Sequence, residues 1–124
     1  MTGVGMAEGY LTTHVLDTAK GEPVEGMKVE LYRISPDGWK HLATKVTNKD
    51  GRTDGPLMTV DQFEIGQYEL LFYAGDYLSR IGVPMESPRF LNEIPIRFGI
   101  SDESRHYHVP LLLSPFGYST YRGS

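Results

Sequence analysis

Apolar and polar positions alternate with a period of two along most of the 124 residues, and that period puts successive side chains on opposite faces of a strand. Residues 10–17 (YLTTHVLD) are rich in β-branched and aromatic types and stop at Ala19-Lys20-Gly21-Glu22-Pro23, where Gly and Pro mark a turn. In residues 27–34, Met27, Val29, Leu31 and Arg33 alternate with Lys28, Glu30, Tyr32 and Ile34, and the first set reads as the inner face. Ser35-Pro36-Asp37-Gly38 signals a turn, so residues 39–46 are expected to pair back as a hairpin. Asn48-Lys49-Asp50-Gly51 is the next turn. Residues 66–73 place Tyr68, Leu70 and Phe72 on one face, and residues 94–100, 106–113 and 117–122 read as three further strands.

One short helix interrupts the pattern. Asp76 can cap residues 77–81, which Gly82 and Pro84 would end. Residues 83–93, with Pro84 and Pro88, read as an irregular loop. Short strands at regular spacing with a single brief helix indicate an all-β sandwich. With no internal repeat and no linker, residues 10–124 are expected to form one domain behind a disordered N-terminal segment, residues 1–9.

Composition narrows the functional classes. Hydrophobic content of 40% and charged content of 23% are those of a globular chain. No apolar run approaches the roughly 18 residues that span a bilayer, so no membrane partner is expected. The N-terminal MTGVGMAEGY has neither a basic nor an apolar stretch of the secretory kind, which makes the cytoplasm the default location. The absence of cysteine excludes disulfides and thiolate catalysis. A net charge of -4, with both signs interspersed, argues against nucleic acid as a partner.

The chemistry-bearing positions are unusual in where they fall. Tyr107, Val109, Leu111 and Leu113 share a core-like face, whereas His106, His108, Pro110, Leu112 and Ser114 share the other. Imidazoles mixed with Pro and Leu suit a subunit interface or a pocket wall. The first strand has the same mixture, with Tyr10, Thr12, His14 and Leu16 on one side. His14 alone reads as a half-buried surface residue. If the two strands meet, paired imidazoles can act as acid and base, because histidine titrates near ~6.5. A three-histidine zinc site, from His106 and His108 with His14 or His41, is a competing reading. Arg52 is either a solvated turn residue or a planar fork for an anionic or carbonyl-rich ligand. The ending Tyr121-Arg122-Gly123-Ser124 continues a strand pattern, where chain ends usually carry polar filler.

These segments resemble a known family. HYHVPLLLSPFGYSTYRGS at residues 106–124, LTTHVLDTAKGEPVEGMKVELYR near the start, KDGRTDGPL in the middle and GQYELLFYAGDYL together look like the 5-hydroxyisourate hydrolases, or transthyretin-related proteins. The resemblance covers nearly the whole chain from about Tyr10. The string LLLSPFGYST would fit the hormone carrier transthyretin equally well. His14, His108 and the Tyr-Arg-Gly-Ser ending instead resemble the hydrolase branch.

The resemblance implies a transthyretin-like eight-stranded β-sandwich with one short helix, assembled as a homotetramer with its sites at the dimer–dimer interface. It implies hydrolysis of 5-hydroxyisourate to 2-oxo-4-hydroxy-4-carboxy-5-ureidoimidazoline in urate breakdown, with no cofactor and no metal. Carried over position by position, the catalytic set falls on His14, Arg52, His108 and Ser124. Tyr121, Arg122, Gly123 and His106 are expected to bind substrate.

Overall fold

The computed structural model describes residues 9–84 and 86–123. Its strands are β1 (Tyr10–Thr12), β2 (Val15–Asp17), β3 (Glu22–Pro23), β4 (Lys28–Ser35), β5 (Gly38–Val46), β6 (Gly66–Tyr73), β7 (Glu93–Ile100), β8 (His106–His108), β9 (Leu111–Ser114) and β10 (Gly117–Ser119). Two runs expected as continuous strands are each broken once, at residues 13–14 and at 109–110. Counted as single strands they leave eight among the described residues.

The breaks have a backbone cause. Pro110 has no N–H to give, and the Val15 N–H donates sideways to the Gly51 carbonyl at 2.8 Å. The two interrupted runs still lie parallel throughout: Tyr10 pairs with His106 and Thr12 with His108, then Val15 with Leu111 and Asp17 with Leu113. Across the gap, Val109 N–H donates to the Thr12 carbonyl at 3.0 Å and Leu111 N–H to the His14 carbonyl at 2.9 Å. The buried Thr13 hydroxyl donates to the Val109 carbonyl at 2.7 Å. These bonds pair the backbone groups that the interruption would otherwise leave exposed in a buried sheet, which is what makes it tolerable.

The first sheet has the order β10-β9-β2-β3, extended by the β1-β8 pair, and the second, antiparallel sheet has the order β5-β4-β6-β7. The alternation read along the chain is realised in both. Leu11, Val15, Tyr107, Val109, Leu111 and Leu113 are buried from the first sheet, and Val29, Leu31, Tyr68, Leu70 and Phe72 from the second. Thr12, His14, Leu16, His106, His108 and Leu112 are half-buried on the outer face of the first sheet. Among the described residues, no buried side-chain nitrogen or oxygen lacks a hydrogen-bond partner.

Three expectations change in detail. The helix α1 (Ala74–Arg80) begins three residues early, because β6 runs straight into it: Tyr73 is the N-cap residue and Asp76 sits inside the first turn, where its charge favours the helix dipole. Gly82, at φ +83°, ends it as expected. A 3-10 turn at Val60–Gln62, closed by reciprocal Thr59 and Gln62 hydrogen bonds, was not expected, although its Thr-x-x-Gln spacing stands in the sequence. The last expected strand, residues 117–122, ends at Ser119.

Of the expected disordered segment, residues 1–8 lie outside the described residues. Gly9 is buried and donates its N–H to the Glu103 carbonyl at 2.9 Å. Among the described residues, no helix is long and apolar enough to cross a membrane.

Candidate active site

Parallel pairing of β1 with β8 lines up their outward-facing side chains. Tyr10 stacks on His106 with ring centroids 4.1 Å apart and planes 7° from parallel. One register step on, Thr12 lies between two imidazoles, its Oγ1 2.7 Å from His106 Nε2 and 2.8 Å from His108 Nδ1. His14 follows in the strand break, with its ring centroid 6.5 Å from that of His108. Three imidazoles thus form one row on the outer face, with His108 in the middle.

The turn at 48–51 is pinned to this break. Gly51 adopts φ +76°, and a Cβ there would meet the Val15 carbonyl and approach His14 Cδ2 to 3.1 Å, so only glycine lets the turn come this close. Asn48 Oδ1 accepts from the N–H groups of Asp50 at 2.9 Å and Arg52 at 3.1 Å, an Asx-type closure that fixes the backbone of Arg52. The positive charge of Arg52 is felt by both neighbouring histidines. Burial, then Arg52, lowers the His14 pKa below its ordinary value, against an opposing hydrogen bond and charge from Asp50. Burial, then Arg52, then His106 and His14, lowers that of His108. Both imidazoles are held neutral at neutral pH, the form in which a histidine can accept a proton.

The C-terminal segment closes over His108 through its backbone. Gly123 N–H donates to the His108 carbonyl at 2.8 Å, and His108 N–H to the Gly123 carbonyl at 3.3 Å. A Cβ on Gly123 would lie 2.9 Å from His108 Cβ and Cδ2. The Tyr121 ring stands edge-on to His108, 6.4 Å between centroids. Thr120 anchors the approach by donating its hydroxyl to the Pro110 carbonyl at 2.7 Å.

Not every expected residue joins this patch. The Arg122 guanidinium sits 4.5 Å over the Tyr107 ring, on the opposite side of β8, beside a cavity of about 220 Å³ lined by Ile96, Phe98, Val109 and Tyr121. That cavity is almost wholly apolar and brings no two imidazoles together, as the histidine row does. His41 lies on the other sheet, 2.7 Å from Thr44 Oγ1 and 3.5 Å from Glu30 Oε2, and takes no part in the row. Among the described residues, no three His, Cys, Asp or Glu are spaced to hold a metal ion. Ser124 lies outside the described residues. Thr12, in contrast, joins the site without having been expected; alternation put it on the right face, but only the register with β8 places it between two histidines.

A β-sandwich with adjacent imidazoles on its outer face, within reach of the Arg52 charge, offers groups suited to acid–base chemistry. The model of the HIUase/Transthyretin family matches residues 11–123, and the chain belongs to that family. A curated relative, 5-hydroxyisourate hydrolase 2 of Rhizobium meliloti (strain 1021), is 59% identical over 116 residues, covering 94% of this chain and 97% of its own. Among solved structures, an (S)-allantoin synthase aligns with TM-score 0.88 and 47% identity over 94% of this chain, which spans only 44% of that longer protein. The 5-hydroxyisourate hydrolase of Klebsiella pneumoniae aligns with TM-score 0.77 and 34% identity, covering 94% of each chain.

Proposed function

We propose that the protein hydrolyses 5-hydroxyisourate to 2-oxo-4-hydroxy-4-carboxy-5-ureidoimidazoline, a ring-opening step in urate degradation. It is an enzyme, a hydroxyisourate hydrolase. The observation that carries this reading is the row of His106, His108 and His14 beside Arg52, with His14 and His108 both held neutral.

Opening a cyclic amide needs an activated water, stabilisation of a tetrahedral oxyanion and a proton for the departing nitrogen. His14 and His108 together supply the acid–base function. Arg52 holds the oxygen-rich substrate and offsets developing negative charge. Tyr121, edge-on to His108, orients the ring, and Gly123 holds the His108 backbone. Ser124 acts on the water through its hydroxyl or carboxylate. His106 serves substrate binding through its link to Thr12, and Arg122 braces the tail by covering Tyr107.

The assembly is a homotetramer with sites at the dimer–dimer interface. Support comes from the half-buried Leu16 and Leu112 flanking the histidines, an outward face more apolar than a solvent-facing wall requires. The cysteine-free composition fits a cytoplasmic setting.

Urate and urate oxidase generate 5-hydroxyisourate in the cuvette, and its ultraviolet decay is followed with and without the protein. Accelerated decay is the expected result. Unchanged decay accompanied by tight binding of thyroid hormone would make the protein a carrier instead. Sedimentation of the same sample reads the tetramer.

A further inference from the structure

We propose that Thr12 is a positioning residue that joins His106 and His108 into one proton-relay unit, an inference that rests on the hydrolase reading above. The Thr12 hydroxyl has a single proton yet stands 2.7 Å from His106 Nε2 and 2.8 Å from His108 Nδ1. Its oxygen could accept from both rings, but among the described residues the hydroxyl proton has no other acceptor, so it is used only when one ring nitrogen accepts it while the other donates to the oxygen. The tautomers of the two histidines are therefore complementary.

Two arrangements meet that condition. In the first, His108 Nδ1–H donates to Thr12 Oγ1, Thr12 donates to His106 Nε2, and His108 Nε2 carries a lone pair. In the second, His106 Nε2–H donates to Thr12, Thr12 donates to His108 Nδ1, and His108 Nε2 carries the proton. The first makes His108 a base at Nε2 and the second makes it an acid.

The reaction uses them in turn. His108 Nε2 takes a proton from water as the oxygen attacks the ring carbonyl. The Nδ1 proton then passes to Thr12 Oγ1 while the hydroxyl proton passes to His106 Nε2, so the positive charge moves to His106. His108 is left neutral with a proton on Nε2. When the C–N bond breaks, that proton passes to His14 as the paired imidazole gives its own proton to the departing nitrogen, and the relay runs back from His106 through Thr12 to His108 Nδ1. The net transfer is one proton from water to the leaving group, and the four side chains return to their starting charge.

The His106 ring is stacked on Tyr10, whose π-face attracts a cation. His108 instead faces the Arg52 charge and His14, with Tyr121 edge-on, a setting that disfavours a lasting imidazolium.

The test compares Thr12→Val, which keeps the β-branched shape without the hydroxyl, with Thr12→Ser. The valine variant is expected to lose about 10²-fold in kcat with KM within about threefold, and the serine variant to recover most of the loss. In ring-nitrogen NMR of the substrate-free protein, wild type shows His106 and His108 as complementary tautomers, and Thr12→Val uncouples them. His106→Phe, which keeps the stack on Tyr10, is expected to reproduce the kcat loss should the valine variant not fold.

Wild-type turnover in Thr12→Val or His106→Phe, or a serine variant as poor as valine, overturns the relay. Tautomers unaffected by Thr12→Val overturn it as well. If wild type itself does not speed the decay of 5-hydroxyisourate, the hydrolase reading fails; the NMR comparison still judges the coupling on its own.

Discussion

Gly123 and His108 are bound to each other through a single antiparallel bridge, and the glycine leaves no room for a side chain against the imidazole. A Cβ would sit 2.9 Å from His108 Cβ and Cδ2, a distance that forces the ring or the tail to move. Gly123→Ala is expected to lower kcat at least about tenfold through misplacement of His108. Circular dichroism should show an unchanged fold. Full activity in the alanine variant would mean that the tail yields instead of the ring.

Removing either neutral imidazole should be more severe. His14→Ala and His108→Ala are each expected to lose at least about 10²-fold in kcat while the assembly persists by sedimentation. Turnover of freshly generated 5-hydroxyisourate is the measurement.

The pH profile follows from the direction of the two shifts. Both His14 and His108 titrate below their ordinary value, with burial the largest cause and Arg52 the second. The base must be neutral to work, so the acid limb of kcat/KM should lie below pH ~6.5 and activity should persist into mildly acidic solution. Arg52→Gln removes the cationic contribution, raises both histidines toward their ordinary value and should move the acid limb to higher pH. A limb that stays in place would show that burial alone sets it.

Deletion of residues 121–124 separates catalysis from folding. The described part of the tail, residues 121–123, supplies two backbone hydrogen bonds to His108 and no residue of the buried core. The stability loss should be only about 1–3 kcal/mol, while activity falls at least about 10²-fold. Denaturant melts and the ultraviolet assay, run on the same preparation, decide it.

Tyr77→Phe is the converse case. The Tyr77 hydroxyl donates to Asp17 Oδ2 at 2.7 Å, and both residues are buried. Asp17 Oδ1 meanwhile accepts from the N–H groups of Ala19 and Lys20 at 3.0 Å each. Loss of the hydroxyl leaves a buried carboxylate oxygen without its partner and should cost about 1–3 kcal/mol. Turnover well below the melting temperature should not change.

Alternation along the chain was enough to sort inside from outside on most strands. It put Tyr107 and Leu113 on a core-like face and set His14 and His108 on mixed faces, because side-chain direction depends only on local backbone period. It did not reveal the breaks at residues 13–14 and 109–110. Those arise from hydrogen bonds to Gly51 and from pairing between strands about a hundred positions apart. Thr12 was passed over for the same reason, since its partners are fixed by register. Arg122 shows the limit from the other side: the tail motif is contiguous in sequence, yet Arg122 turns to Tyr107 while Tyr121 stands edge-on to His108.

The parallel pairing of β1 with β8 also sets an order of events during synthesis. Thr12 and His108 stand 96 positions apart, and contacts of such separation form late in folding. A nascent chain displays His14 and Arg52 while His108, Tyr121 and Gly123 have yet to be made. A product that stops short of His106 lacks two of the three imidazoles, and on the proposed reading of the row it is catalytically silent until β8 has been made and docked on β1.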